Sequence, residues 1–210
     1  MNIIDTAIPG VLIIEPKIFG DARGFFLETF QAERYASHGI AGPFVQDNLS
    51  RSARGTLRGL HFQNPKPQGK LVTVLRGAVR DVVVDVRIGS PTFGRHVVAD
   101  LDDDNRRQLW VPRGFAHGFV VRSDSADFFY KCDELYSPAD EKVLRWNDPE
   151  LRIDWGVEAP LLSPGDGDLA GGFDPAETDS SFGFTAGFAI GFPSIAPRRL
   201  IASLMPMWLI

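Results

Sequence analysis

Two histidines and a lysine are the side chains best suited to chemistry in this sequence. The stretch LRGLHFQ places His61 in a run that alternates like a β-strand, and VPRGFAHGF places His117 shortly after a proline and a glycine. Lys70 begins the apolar run KLVTVLR. An imidazole titrates near neutral pH, and an ammonium group stabilises a developing negative charge. These residue types suit a metal site or a proton-transfer site, and His61 also suits a packed position in a strand.

The local motifs around these residues resemble those of the cupin superfamily, whose members are small double-stranded β-barrels. The pattern P-x-G-x-x-H that ends at His117 is similar to the second cupin motif, and the first motif fits at its glycines and at His61. Two further ligand positions of the first motif hold Gln63 and Lys70. An ammonium group has no lone pair for a cation and repels it. A metal-dependent cupin, such as an oxygenase, is therefore disfavoured, and no metal site is expected.

The composition limits the class of protein. The chain has 210 residues, 44% of them hydrophobic, and a formal net charge of -5. One main domain is expected, and the negative charge argues against a nucleic-acid partner, which needs a basic surface. The single cysteine, Cys132, rules out an intramolecular disulfide and fits a reducing compartment. No apolar run is long enough to span a bilayer, so we expect a cytoplasmic protein without a membrane partner.

The elements that position these residues are predicted to be mostly strands. Short β-rich runs, separated by glycine, proline, asparagine and aspartate, fill the chain from about Asn2 to Trp155. One short helix is predicted in QAERYASHG, with Gly39 suited to its C-terminal cap, and a tight hairpin is predicted around Gly77. So many short strands indicate a sandwich or a barrel. The expected fold is mainly β, a cupin-like jelly-roll barrel with a few short helices.

The composition changes after about Asp166. The last residues are rich in glycine, phenylalanine and proline and follow neither the strand period nor the helix period. We therefore assign residues 1–167 to the barrel domain and residues 168–210 to an atypical C-terminal tail. An abrupt change of this kind is typical of a shifted reading frame, and a genuine extension is the alternative.

Several long blocks of the sequence resemble the dTDP-4-dehydrorhamnose 3,5-epimerase family. They lie between about Ile3 and Asp166 and include EPKIFGDARGFFLETF, FVQDNLSRSARGTLRGLHFQ, RRQLWVPRGFAHGFVV and FFYKCDELYSPADEKVLRWNDP. The resemblance implies a homodimeric isomerase that inverts C3 and C5 of dTDP-4-keto-6-deoxy-D-glucose. The product would be dTDP-4-keto-L-rhamnose, in dTDP-rhamnose biosynthesis. The resemblance also implies a reaction that needs neither a metal nor another cofactor.

The resemblance assigns catalytic roles to four residues. A proton next to the C4 ketone is acidic because the carbanion becomes an enolate. Inversion then needs a base, an acid on the opposite face of the ring and a positive group at the enolate oxygen. By motif position, His61 is the base, Tyr130 is the acid and Lys70 faces the oxyanion. Asp166 supports the imidazole of His61 and stabilises its charged form.

The remaining matched positions are expected to line the nucleotide-sugar site. They are Arg23, Glu28, Gln46, Asp47, Asn48, Arg58, His117, Tyr136 and Glu141. Tyr136 is expected to stack on the thymine, and the guanidinium groups of Arg23 and Arg58 suit a pyrophosphate. The family usually has a lysine where this chain has Gly165, so the loss of that cation should weaken nucleotide binding.

Simpler interpretations remain open for some of these residues and for the whole chain. Arg23 and Glu28 also suit a surface ion pair, His117 a hydrogen-bonded core position and Tyr136 ordinary barrel packing. One alternative function is a single-carbon epimerase of a related dTDP-4-keto sugar. Another is a cupin that binds a nucleotide sugar without turnover.

Overall fold

The computed structural model describes residues 1–167, so the predicted tail, residues 168–210, lies outside the described residues. Within residues 1–167 the chain forms thirteen strands and the five-residue helix α1 (Ala32–Ala36). The strands are β1 (Asn2–Asp5), β2 (Leu12–Glu15), β3 (Ile18–Asp21), β4 (Gly24–Leu27), β5 (Gln46–Ala53), β6 (Leu57–Gln63), β7 (Lys70–Arg76), β8 (Ala78–Asp85), β9 (His96–Asp102), β10 (Gln108–Val111), β11 (Phe115–Val121), β12 (Ser125–Cys132) and β13 (Glu141–Val143). The prediction of a mainly β protein is confirmed. No helix among these residues is long and apolar enough to cross a membrane.

Two antiparallel sheets form the body of the domain. The six-stranded sheet has the order β1-β2-β10-β7-β12-β5, and the five-stranded sheet has the order β13-β6-β11-β8-β9. Buried side chains from both sheets share one core, in which the rings of Phe119 and Phe128 stack with centroids 3.8 Å apart. Of the strands within residues 1–167, β3 and β4 pair only with each other. Burial of the inner faces of two packed sheets is the main stabilising contribution to such a fold.

The turn at Gly77 joins the two sheets. Strand β7 belongs to the six-stranded sheet and β8 to the five-stranded sheet, so the prediction of a tight hairpin at this position is wrong. Gly77 has φ +81°, and a Cβ atom there would lie 2.1 Å from the carbonyl oxygen of Ser125. A glycine is therefore required, but for a crossing between layers rather than for a hairpin.

The predicted helix is present but shorter than its sequence pattern. It begins after Gln31, whose side chain accepts a hydrogen bond from the backbone N–H of Arg34, and it ends at Ala36. Tyr35 is buried in a cluster with Ile40 and Trp110, which covers one side of the six-stranded sheet. Because a five-residue helix is not stable alone, this packing holds it in place.

The last described segment returns to the five-stranded sheet. The backbone N–H of Leu161 donates to the carbonyl oxygen of Gly55 at 2.8 Å, and the N–H of Leu57 donates to that of Leu161 at 3.0 Å. Just before this segment, Leu151 and Trp155 pack on the outer side of the same sheet. These contacts bring residues 161–167 beside β6, the strand that carries His61.

Candidate active site

An open pocket of about 410 Å³ lies between the two sheets. Its lining residues come from β5, β6, β7, β12, β13 and two loops: Gln46, Asn48, His61, Phe62, Gln63, Gln68, Lys70, Tyr130, Tyr136 and Glu141. Seven of them are residues that the sequence predicted for the site, namely Gln46, Asn48, His61, Lys70, Tyr130, Tyr136 and Glu141. The structure therefore brings together three of the four predicted catalytic residues in one lining.

Strand alternation explains which side chains of the six-stranded sheet enter the pocket. Tyr130 pairs with Asn48 on one side, and Cys132, two residues later, pairs with both Gln46 and Lys70. Residues two apart along a strand share a face. Asp47 therefore lies on the opposite face, where its carboxylate accepts a hydrogen bond from Lys131 Nζ at 2.8 Å. In the single chain, Asp47 is outside the pocket.

A bulge between β6 and β11 sets the direction of His61. Phe119 pairs with Arg58 and His117 with His61, so three steps along β6 match two steps along β11. Gly59 lies inside the bulge with φ +121°, and a Cβ atom there would be 2.6 Å from Gly118 Cα. A β-bulge adds one residue to one strand of a pair, so side chains an odd number of positions apart can point to the same face. Arg58 and His61 consequently share a face despite their separation of three positions.

The imidazole of His61 is hydrogen-bonded to Asp166 beside the pocket. Its Nε2 lies 2.6 Å from Asp166 Oδ1, which also accepts the backbone N–H of Gly59 at 3.2 Å. Ser163 Oγ donates to Asp166 Oδ2 at 2.7 Å. Burial tends to raise the pKa of the Asp166 carboxyl, but the hydrogen bonds from His61, Ser163 and Gly59 hold it below its ordinary value. Asp166 is thus ionised and fully hydrogen-bonded, which suits the support of an imidazolium.

Lys70 and Tyr130 lie together on the other sheet. The Nζ atom of Lys70 is 5.9 Å from the centre of the Tyr130 ring. Burial lowers the pKa of Lys70, and the negative charges of Glu141 and Asp81 oppose that shift. Burial also raises the pKa of the Tyr130 hydroxyl far above its ordinary value. Tyr130 therefore keeps its proton and is a donor, as a general acid must be.

His117 is hydrogen-bonded to a second, more deeply buried aspartate. Its Nε2 lies 2.8 Å from Asp81 Oδ1, and the side chains of His117 and Asp81 are 6% and 0% exposed. The other carboxylate oxygen of Asp81 has no hydrogen-bond partner among residues 1–167. Burial raises the pKa of Asp81 despite the nearby charges of His117 and Lys70. His117 is not among the residues that line the pocket, and its surroundings fit the alternative of a hydrogen-bonded core histidine.

Tyr136 and Glu141 form a polar pair at one wall of the pocket. The Tyr136 hydroxyl donates to Glu141 Oε2 at 2.9 Å. Burial and this hydrogen bond both raise the pKa of Tyr136. The ring of Tyr136 is thus oriented by its own hydroxyl and still faces the cavity.

Three other predicted binding residues lie outside the pocket lining. Arg58 Nε donates to Ser52 Oγ at 3.1 Å, and its charge acts to lower the pKa of Tyr130, so it is close to the site. Arg23 belongs to the β3–β4 turn, is 90% exposed and pairs with Asp21. Glu28, just after β4, pairs with Arg34. Arg23 and Glu28 thus each form an ion pair at the surface, but they do not pair with each other as the alternative interpretation proposed.

Three residues that contact or support the site residues were not predicted from the sequence. Ser163 binds Asp166, and the motif S-x-x-D, in which a serine hydroxyl closes a turn, was a usable signal. Gln63 lines the pocket at the position of a lost metal ligand. Asp81 lies within the apolar run DVVVDV, where no local pattern predicts its partner His117. Among residues 1–167, no three histidine, cysteine, aspartate or glutamate side chains are placed to hold a metal ion.

Comparisons with known proteins show which family this chain resembles. The family described as dTDP-4-dehydrorhamnose 3,5-epimerase matches residues 5–171. A dTDP-4-dehydrorhamnose 3,5-epimerase of Neisseria gonorrhoeae is 53% identical over 172 residues, which are 81% of this chain and 52% of that protein. This chain thus spans about half the length of that relative. A dTDP-4-dehydrorhamnose 3-epimerase of Streptomyces niveus is 45% identical over 80% of this chain and 82% of its own length.

A solved structure shows the same fold. The dTDP-6-deoxy-D-glucose-3,5-epimerase of Legionella pneumophila, in complex with dTDP-4-keto-L-rhamnose, superposes with a TM-score of 0.77 and 57% sequence identity. The match covers 79% of this chain and 89% of that chain. The predicted cupin-like fold and the predicted family are both confirmed. By its sequence, its fold and the extent of the match, this chain belongs to the dTDP-4-dehydrorhamnose 3,5-epimerase family.

Proposed function

We propose that this chain is an isomerase that inverts C3 and C5 of dTDP-4-keto-6-deoxy-D-glucose to give dTDP-4-keto-L-rhamnose. One observation carries the proposal: a supported histidine on one sheet shares a pocket with a protonated tyrosine and a lysine on the other. The Legionella relative binds that product, and the family name describes that reaction. The pathway is the synthesis of dTDP-rhamnose and similar deoxysugars.

The proposed reaction proceeds by proton transfer at the two carbons beside the ketone. His61 removes the proton from C3 or C5, and the electron pair of that C–H bond moves into an enolate. The ammonium group of Lys70 stabilises the negative oxygen, which is the largest electrostatic change in the step. Tyr130 then donates a proton to the opposite face of the same carbon. Asp166 stabilises the imidazolium of His61 until its proton is released.

The pocket residues outside this group are proposed to bind the nucleotide and the sugar. Gln46, Asn48 and Glu141 present polar side chains to the cavity, and Tyr136 presents an aromatic ring. We propose that Tyr136 stacks on the thymine and that Arg58, close to Tyr130, binds the pyrophosphate. The roles of Asp47 and His117 in binding stay predictions.

The chain is proposed to act as a homodimer. Arg23 and Glu28 lie away from the pocket of their own chain, yet the resemblance assigns them to a substrate site. Beside them, Phe25 and Phe26 on β4 are 55% and 68% exposed. Apolar patches of this kind are typical of protein interfaces. We propose that the β3–β4 hairpin packs on a second copy and brings Arg23 and Glu28 to that copy's pocket.

A mixed dimer tests this arrangement. Arg23→Ala and His61→Asn chains are purified separately and combined, and the turnover of the mixture is compared with that of each variant alone. If Arg23 serves the partner's site, the mixture regains activity, because one of its two sites has both residues. Activity that stays at the level of the separate variants would place Arg23 in its own chain's site or outside both.

Exchange of hydrogen for deuterium tests the reaction itself. The protein is incubated with dTDP-4-keto-6-deoxy-D-glucose in D₂O with a chelator, and deuterium at C3 and C5 is followed by NMR. Exchange and inversion at both carbons are expected. Exchange at one carbon selects the second candidate, a single-carbon epimerase, which the similarity to the Streptomyces niveus 3-epimerase favours. Tight binding without exchange would leave only a nucleotide-sugar-binding protein.

We also propose a cytoplasmic location. The thiol of Cys132 is free and buried in β12, and free cysteines are typical of reducing compartments. Fractionation of the source cells, followed by activity measurement, tests the proposal, and activity recovered outside the cytoplasmic fraction would contradict it.

A further inference from the structure

Gln63 is a buried glutamine whose amide group is used entirely within the protein. Its side chain is at the pocket lining, but the residue is only 4% exposed. Nε2 donates to the carbonyl oxygens of Lys66 at 2.9 Å and Leu135 at 3.2 Å, and Oε1 accepts the backbone N–H of Ser137 at 2.9 Å. Both donor hydrogens and one acceptor site are therefore occupied by backbone groups.

These three hydrogen bonds join β6 to the two loops that border the pocket. One loop follows Gln63 itself, and the other runs on both sides of Tyr136. The carbonyl oxygen of Leu135 and the N–H of Ser137 flank Tyr136 directly, so Gln63 fixes the peptide groups before and after it. Gln46 adds a third restraint, because its Oε1 accepts the N–H of Tyr136 at 2.9 Å.

We propose that Gln63 is a positioning residue that holds the ring of Tyr136 in place for stacking on the nucleobase of the substrate. This inference rests on the proposed function, because it takes the stacking partner of Tyr136 to be thymine. Gln63 acts through Tyr136 and has no part in proton transfer, since its polar atoms point to the loops. It contributes to substrate affinity by preorganising one wall of the pocket.

A glutamine is well suited to this position. A histidine or a glutamate in its place offers fewer donors, and neither reaches three backbone groups on two loops with two donors and an acceptor. The same bonds account for a polar side chain in a buried place, because each of them satisfies a backbone group of a loop.

The test compares Gln63→Met with Gln108→Met. Methionine has a similar volume and removes every hydrogen bond of the amide. Gln108 is a matched control because it is 1% exposed and its amide also makes three bonds, to Tyr35 Oη, the Thr29 carbonyl oxygen and Thr73 Oγ1. We expect Gln63→Met to raise KM and the Kd for dTDP about tenfold, the scale of one aromatic contact. The kcat of Gln63→Met should stay within about a factor of two of the native value. In Gln108→Met, KM and the Kd for dTDP should also stay within about a factor of two of their native values.

A double-mutant cycle distinguishes positioning from general damage. If Gln63 acts through Tyr136, Gln63→Met raises the Kd for dTDP in the native background but not in a Tyr136→Ala background. Additive effects in the two backgrounds would overturn the proposal. A fall in kcat that matches the rise in KM would also overturn it, because that result places Gln63 in the chemical step.

Amide hydrogen exchange tests the same positioning without any substrate. In the ligand-free protein, Gln63→Met should increase exchange at the amides of Tyr136 and Ser137, and Gln108→Met should leave both unchanged. Unchanged exchange in Gln63→Met would overturn the proposal even if dTDP binding fell. If the unaltered protein does not bind dTDP, the proposed substrate fails, and the exchange result still decides whether Gln63 holds Tyr136.

Discussion

Among residues 1–167, two histidine–aspartate pairs involve neighbouring strands, and only one of them lies at the pocket. His61 and His117 are direct partners across β6 and β11. Their Nε2 atoms lie 2.6 Å and 2.8 Å from an aspartate oxygen. By distance and residue type the two pairs are nearly equivalent, so the surroundings must separate their roles.

The surroundings differ in access and in hydrogen bonding. The side chain of His61 is 27% exposed at the pocket, whereas that of His117 is 6% exposed. Both oxygens of Asp166 are hydrogen-bonded and its pKa is lowered. One oxygen of Asp81 has no partner in the described part of the chain, and the pKa of Asp81 is raised. A base needs access to substrate and a stabilised charged form. The His61 pair is open to the pocket and has an aspartate that is fully hydrogen-bonded, and neither is true of the His117 pair.

The largest expected effect comes from removing each histidine in turn. His61→Asn should lower kcat by about 10³-fold or more, the scale of a lost general base, and should leave dTDP binding nearly unchanged. His117→Asn should lower kcat far less but destabilise the fold by about 3 kcal/mol, because it breaks a buried pair. Turnover, dTDP binding and urea unfolding are measured on both variants. Equal losses of turnover would erase the distinction between the pairs.

Lys70 links the two pairs, since it lines the pocket with His61 and lies in the field of Asp81. Lys70→Met should lower kcat by about 10²-fold, as expected for a lost oxyanion contact. It should also raise the free energy of unfolding, because burial of the ammonium group is unfavourable. Lys131→Met, which removes a lysine paired with Asp47 on the outer face, is the control for charge and should keep kcat. A Lys70→Met protein with full activity would exclude Lys70 from the reaction.

The two aspartates should give stability profiles of opposite sign with pH. Asp166 has a lowered pKa, so its ionised form stabilises the fold above the ordinary pKa of an aspartate. That advantage over Asp166→Asn is lost as the pH falls through the folded-state pKa. Asp81 has a raised pKa, so the native protein should gain stability relative to Asp81→Asn as the pH falls below the folded-state pKa of Asp81. Urea unfolding at a series of pH values measures both differences, and slopes of the same sign would contradict the assignment.

The sequence predicted which residues meet at the pocket better than it predicted the strand geometry that brings them together. His61, Lys70 and Tyr130 were identified by motif position and do line one pocket. Asp47 could have been separated from its neighbours in advance, because adjacent residues of a strand point to opposite faces. The shared face of Arg58 and His61 could not, since it depends on a bulge that forms only when β6 meets β11.

Long-range pairing sets the same limit elsewhere in the molecule. A turn glycine such as Gly77 is compatible with a hairpin or with a crossing between sheets, and only the partners of β7 and β8 decide between them. The pairing of Asp81 with His117 joins positions far apart in the chain, and neither strand pattern contains a signal for it. Local propensity predicts that a segment is a strand, whereas its neighbour is decided by packing.

The smallest expected effect concerns the serine that distinguishes Asp166 from Asp81. Ser163 donates to the second oxygen of Asp166, the atom whose counterpart in Asp81 has no partner. Ser163→Ala should lower kcat about threefold to tenfold, the scale of one hydrogen bond to a charged group, and should raise the pKa of Asp166. Ser163→Thr retains the hydroxyl and should restore most of the rate. Ser123→Ala, which removes a serine bonded to backbone groups near Gly77, should leave kcat unchanged.

The pH dependence of kcat separates a role of Ser163 in supporting Asp166 from a structural role. If Ser163 supports Asp166, Ser163→Ala shifts the acidic limb of the pH profile of kcat. If its loss only loosens the turn, the rate falls equally at every pH. If the limb does not move, the contrast between the pairs rests on the exposure of His61 and not on the hydrogen bonds of its aspartate.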